Sequence, residues 1–180
     1  MAKFNCLILD PDMQGRMRLK QATTPISEFG AVMPLGNVNE ATSFLNGDRI
    51  TDVVFISSRL PQEQITPFIQ TAKQTKSGQD AAYVIVKKSQ EDGTTSVAEI
   101  MMIGGDGMLC EPYSVEALLE ITLLSARVRK ERAGEREKMA IGILVKDLIN
   151  QLDLVCCLKA NNCELGLSLR KLKDVAGIIN

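Results

Sequence analysis

Short apolar runs, each closed by a polar, charged or proline residue, recur along the first two thirds of the chain. Phe4 to Leu9 is such a run and stops at Asp10-Pro11-Asp12, as a buried strand that meets an acidic turn does. Ala31-Val32-Met33-Pro34 is a shorter, proline-limited strand. Asp52 to Ile56 is apolar on both faces and runs into Ser57-Ser58-Arg59-Leu60-Pro61. Ala81 to Val86 ends at Lys87-Lys88, and Met108-Leu109-Cys110 is a last brief strand before Glu111-Pro112. Between these runs the period changes to that of a helix: over Gln14 to Gln21, over Val38 to Leu45, after Pro61 to about Gln74, over Thr94 to Ile103, and after Ser114. In the second of these helices Asn46-Gly47 supplies the stop. In the third, Pro67 predicts a regular start at Thr66, with Thr66 as N-cap. In the fifth, Ser114 is the expected N-cap. Strands apolar on both faces need cover on both faces, so the pattern predicts an α/β parallel sheet between two helical layers.

Beyond Ala126 the pattern is different. Arg127 to Lys138 is a run of mixed charge, read as a solvated helix laced with i,i+4 pairs, with Gly134 a candidate kink. Ile141, Val145, Leu148, Leu152 and Val155 then follow at alternating spacings of four and three, widened by Leu144. After Asn161-Asn162, a second stripe comprises Leu165, Leu169, Leu172, Ala176 and Ile179. Two amphipathic helices without a core of their own must bury these stripes on the front domain, on a second copy, or on another protein.

Composition narrows the chemistry. The 180 residues include no histidine, which excludes histidine-based acid–base catalysis, histidine metal ligands and a phosphohistidine relay through this chain. Five cysteines, Cys6, Cys110, Cys156, Cys157 and Cys163, stand mostly in apolar runs without paired metal-ligand spacing, and are expected to be buried thiols in a reducing compartment. No apolar stretch approaches bilayer length and the N-terminus lacks a signal-peptide pattern, so a cytoplasmic protein is expected. The net charge of -1 conceals an asymmetry. Arg127 to Asn180 carries 11 basic and 7 acidic residues, a net of +4, which leaves -5 for the residues before it.

In their order and spacing, three blocks resemble the receiver domain of two-component response regulators, over roughly Lys3 to Arg129. Leu7-Ile8-Leu9-Asp10-Pro11-Asp12 is similar to the acidic end of the family's first strand. Asp52 to Pro61 resembles its third strand and following loop. Gly105 to Ser114 resembles the segment that normally holds Lys-Pro-Phe/Tyr. The resemblance implies a doubly wound (βα)5, flavodoxin-like sheet with its site at the carboxyl ends of the strands, here as a receiver-like domain over 1–128 and a helical extension over 129–180.

The departures from the family's pattern set the functional expectation. Ser57 falls where the family has its phospho-accepting aspartate, and a hydroxyl needs an activating base that no histidine can supply. Pro11 takes one position of the acidic pair, leaving Asp10 and Asp12, too few hard oxygen ligands for Mg²⁺. Lys87 or Lys88 stands at the family's switch hydroxyl, Glu111 at its conserved lysine, and Met108 at the usual aromatic of the last strand. An ion-pair lock, with Lys87 or Lys88 bound to Glu111, Asp10 or Asp12, is the expected replacement for the metal. The chain is thus expected to be a phosphorylation-independent bacterial pseudo-receiver that binds proteins and does not catalyse, with no metal and no cofactor. Its contact surface is expected to comprise Met101, Met102 and Tyr113 together with Ile141, Leu144, Leu148, Leu152 and Val155, and a homodimer is expected through helices four and five or the C-terminal helices. The alternative is a transcription regulator whose basic cluster Arg170, Lys171 and Lys173 meets DNA. Interleaved acids and missing aromatics make nucleic acid the weaker expectation.

Overall fold

In the computed structural model, which describes residues 3–88, 97–158 and 173–174, the apolar runs form the strands of one parallel sheet. The strands are β1 (Phe4–Leu9), β2 (Phe29–Leu35), β3 (Val53–Ser57), β4 (Ala82–Lys88) and β5 (Gly107–Glu111), in the spatial order β2-β1-β3-β4-β5. The helices are α1 (Met13–Thr23), α2 (Val38–Leu45), α3 (Gln62–Ala72), α4 (Val97–Met102) and α5 (Val115–Leu158). Successive strand side chains point to opposite faces, so each strand feeds two cores. Leu7, Leu9, Val54, Ile56, Tyr83 and Ile85 pack with α2, α3 and Ile100 of α4. Cys6, Ile8, Val53, Phe55, Val84 and Val86 pack on the other face with Leu19 of α1 and with Leu118 and Ile121 of α5. This is the two-layer cover that the continuous apolar strands require.

Several sequence expectations change. α3 begins at Gln62, with Pro61 as N-cap, and Pro67 lies inside it rather than in a first turn opened by Thr66. Ile65, Phe68, Ile69 and Ala72 are all buried, and seating Ile65 with them outweighs the hydrogen bond that Pro67 cannot donate. β2 extends beyond Ala31–Pro34, and Pro34 is tolerated within it because β2 is an edge strand. Ser114 caps α5 as expected, its hydroxyl accepting from Ala117 N–H at 3.1 Å. Of Thr94–Ile103, the described helix is Val97–Met102. Cys6 is buried, and desolvation drives its thiol pKa well above the ordinary range. Cys110, in contrast, is exposed on the outer strand β5.

The charged run is only partly a solvated helix. Arg129 and Arg132 of α5 reach the amino-terminal edge of the sheet. Arg129 Nη1 donates to Asp52 Oδ1 at 2.6 Å, while Asp52 Oδ2 accepts from Asn5 N–H at 2.8 Å. Arg132 Nη2 contacts both oxygens of Asp106 at 2.7 and 2.9 Å, and Arg132 Nη1 donates to the Ala81 carbonyl. Arg132 and Lys73 both stand over the Tyr83 ring, within 5.7 Å and 5.5 Å of its centre.

The chain divides into two compact units, Met1–Arg132 and Ala133–Asn180. In the second, α5 continues through Gly134 without a break in the helix. The stripe over Leu165–Ile179 and the break at Asn161-Asn162 lie outside the described residues. Arg170 and Lys171 do too, whereas Lys173 pairs with Asp153 at 2.5 Å. Among the described residues, no helix is long and apolar enough to cross a membrane.

Candidate functional site at the carboxyl ends of the strands

Chain reversal at the carboxyl edge of the sheet collects the residues singled out from the sequence. Asp10 follows β1 directly and is 4% exposed. Its Oδ1 accepts from Asp12 N–H at 2.8 Å, and the side chain of Asp12, as N-cap of α1, accepts from the N–H groups of Gln14 and Gly15. These bonds, led by that from Gln14 and joined by the charges of Arg59 and Arg18, hold the Asp12 carboxyl below its ordinary pKa against a smaller opposing effect of desolvation. Ser57 closes β3, buried, and its hydroxyl oxygen accepts from Arg59 N–H at 3.3 Å. Glu111 closes β5 and accepts from the Tyr113 hydroxyl at 2.8 Å. Burial, reinforced by the Glu111 contact, pushes the Tyr113 pKa upward. Pro11 is exposed beside them, and the Glu111–Pro112 peptide is cis.

The cation among these acids is not a lysine. Arg59, two residues after Ser57, donates from Nη1 to Asp10 Oδ2 at 2.6 Å; the same nitrogen lies 3.9 Å from Asp12, and Nη2 lies 3.5 Å from Glu111. Arg18 adds longer contacts to Asp12 at 3.8 Å and Glu111 at 3.7 Å, and Arg16 donates to the Asp10 carbonyl at 2.6 Å. The lock expected from Lys87 or Lys88 is therefore corrected in its cation. Lys88 is exposed at the end of β4. Lys87 lines a separate cavity of about 450 Å³ with Ser58, Leu60, Ile85 and Met102. Strand geometry accounts for the difference. For Asp10 and Asp12 the reason is strand order: β3, which leads into Arg59, is β1's sheet neighbour, whereas β4 lies one strand further away; Lys88 is in register with Glu111 on β5, but its side chain is exposed.

Sequence reading missed Arg59. The available signal was three surviving carboxylates with no histidine or metal set to balance them, and one arginine in the loop nearest them.

Helix α1 is shaped around the lock. A Cβ built on Gly15 would collide with the Asp10 carboxylate and the Arg59 guanidinium, so the side-chain-free position lets the ion pair lie against the helix. The site does not suit Mg²⁺, which needs several hard oxygens in octahedral array. Both Asp10 oxygens are engaged, Ser57 offers a neutral hydroxyl, and the Arg59 guanidinium already neutralises the carboxylates. Among the described residues, no group of three or more Asp, Glu or Cys side chains is placed to hold a metal ion.

The remaining expected residues are spread over other surfaces. Met101 and Met102 of α4 are 70% and 76% exposed. Met108 of β5 is exposed, and Tyr113 is half-buried with its hydroxyl turned to Glu111. Ile141, Leu144 and Leu148 are exposed on α5 and Leu152 is half-buried, while the Val155 side chain lies outside the described residues.

Neither a family model nor a curated protein sequence matches this chain. Solved structures do. The chemotaxis response regulator CheY4 of Vibrio cholerae aligns with a TM-score of 0.54 at 19% identity, over 71% of this chain and 99% of its own. A CheY-like response regulator receiver domain protein from Methanospirillum hungatei aligns with a TM-score of 0.55 at 18% identity, over 72% and 99%. A response regulator receiver modulated diguanylate cyclase from Pelobacter carbinolicus gives 0.53 at 17%, over 73% and 98%. Sheet order, the two-sided helical cover and these alignments agree: the chain has the fold of the CheY-like response-regulator receiver domains, continued by a long C-terminal helix.

Proposed function

We propose that this protein is a phosphorylation-independent pseudo-receiver, a signalling or scaffold module that works by protein–protein contact and as a pair of identical chains. The observation that carries the reading is the Arg59 guanidinium held at 2.6 Å from Asp10 in the space between Asp10, Asp12 and Glu111. Phosphoryl transfer to a carboxylate needs the carboxylate nucleophile and a cation shared with the incoming phosphoryl group. Here the nucleophile position is a serine whose hydroxyl neighbours a backbone N–H, and the fixed cation is already paired with the surrounding acids. Such an arrangement holds one conformation without chemical input. Contact surfaces suited to partners are Met101 and Met102, whose flexible thioether side chains adapt to different shapes, and the apolar face of distal α5.

Incubation with acetyl phosphate and Mg²⁺, followed by intact-mass spectrometry, tests this directly. The expected result is an unmodified chain, and for Ser57→Asp as well, because Arg59 remains in place. A stable phosphoryl adduct on the wild-type chain would overturn the reading.

A further inference from the structure

Lys87, which takes no part in the ion-pair lock, is half-buried near the end of β4 and has no ion-pair or hydrogen-bond partner among the described residues. Its ammonium stands on the rim of the cavity of about 450 Å³ between β4, the β3–α3 loop and α4. That volume is within the ~300–1,000 Å³ usual for small-molecule sites. The floor is apolar: Leu60, Ile65 and Ile85 are each at most 7% exposed, and Ile103 is partly buried. Two contacts build the walls before any ligand arrives. Ser58 N–H donates to the Val86 carbonyl at 2.8 Å, which fixes the loop after β3 beside Lys87, and buried Ile100 anchors α4 to the same core. Floor and rim together select a ligand. Lys87 shares the rim with Glu99, which disfavours a multiply charged phosphate. No aromatic side chain lines the cavity, so a nucleobase has no ring to stack on. One negative charge on an apolar body satisfies both.

We propose that this cavity binds a small monocarboxylate with an apolar body, its carboxylate on the Lys87 ammonium and its body against Leu60, Ile65, Ile85 and Ile103. A carboxylate gives the half-buried ammonium the charge-assisted hydrogen bond that the chain itself does not. Met102 lines the cavity and is also 76% exposed on the surface offered to partners, so a ligand here touches that surface. The module then takes its input from a bound small molecule in place of a phosphoryl group. The link to partners rests on the reading of the protein as a phosphorylation-independent module; the binding itself does not.

Titration of the full chain with octanoate, followed by methyl NMR, tests the site, with octylammonium as the ligand of equal length and opposite charge. Octanoate is expected to shift the methyl signals of Ile65, Ile85, Ile103 and Met102 and to leave those of Val53, in the core on the other face of the sheet, in place. It is expected to bind about tenfold or more tightly than octylammonium, and Lys87→Met is expected to remove that preference. Octanoate that moves none of these methyls at millimolar concentration, or octylammonium that binds the same site as tightly, would overturn the proposal. So would a Lys87→Met protein that keeps the wild-type preference. The comparison of the two ligands on wild type needs no variant, so it decides the matter even if Lys87→Met does not fold. The lock at Arg59 is judged by the phosphodonor experiment alone, so either can fail without the other.

Discussion

A single guanidinium at the carboxyl edge of the sheet, that of Arg59, pairs with the carboxylates gathered there. Asp10 is almost completely buried, and a buried carboxylate is tolerated only when charge or hydrogen bonds replace its lost hydration. Arg59 supplies that compensation, with its own side chain 18% exposed. Arg59→Ala is therefore expected to lower the unfolding free energy by about 2–3 kcal/mol, read from guanidinium denaturation; a loss under ~0.5 kcal/mol would show that the pair is not a structural lock. Asp12 makes a separate prediction. Its depressed pKa means that its contribution is complete above the unfolded carboxylate value near ~3.9 and is lost as pH falls through the lower folded value. Asp12→Asn keeps an N-cap acceptor but removes the titrating group. Its stability should decline less steeply than wild type below about pH 4, and identical slopes would contradict the assignment.

At the scale of elements, α3 and α5 show opposite balances of local preference and packing. In α3, burial of Ile65, Phe68, Ile69 and Ala72 keeps a helix intact around an exposed internal proline. Pro67→Ala restores the missing N–H without disturbing that face, so it is expected to stabilise the protein by about 1–2 kcal/mol. A drop in the urea midpoint would indicate that Pro67 has a packing role. The early part of α5 is held by Leu118 and Ile121 on its apolar face and by Arg129 and Arg132 at the sheet's lower edge. Periodicity revealed the apolar contacts. It could not reveal the arginine contacts, because Asp52 and Asp106 lie far away in sequence and a mixed-charge helix looks the same whether its charges meet water or buried acids.

For the whole molecule, the boundary between fold and extension falls after these arginines. A chain ending at Arg132 retains both cores, buried Val128 and the pairs to Asp52 and Asp106. One ending at Ala126 loses Val128 and leaves two acids without their arginines. The longer form is expected to melt cooperatively, and the shorter at a midpoint about 10 °C or more lower, by circular dichroism; equal midpoints would show that the clamp adds nothing. The sequence by itself determined the parallel sheet, its helical cover and the receiver resemblance, together with the identities of Pro11, Ser57 and Glu111 on which the proposed function rests. Each follows from local periodicity or from residue identity at a recognisable spacing. Only the tertiary structure decided which cation meets the surviving carboxylates, how far α3 extends, and which charges of α5 are engaged. Those outcomes depend on which strand ends are neighbours in space, and on burial energies summed over residues that are distant along the chain.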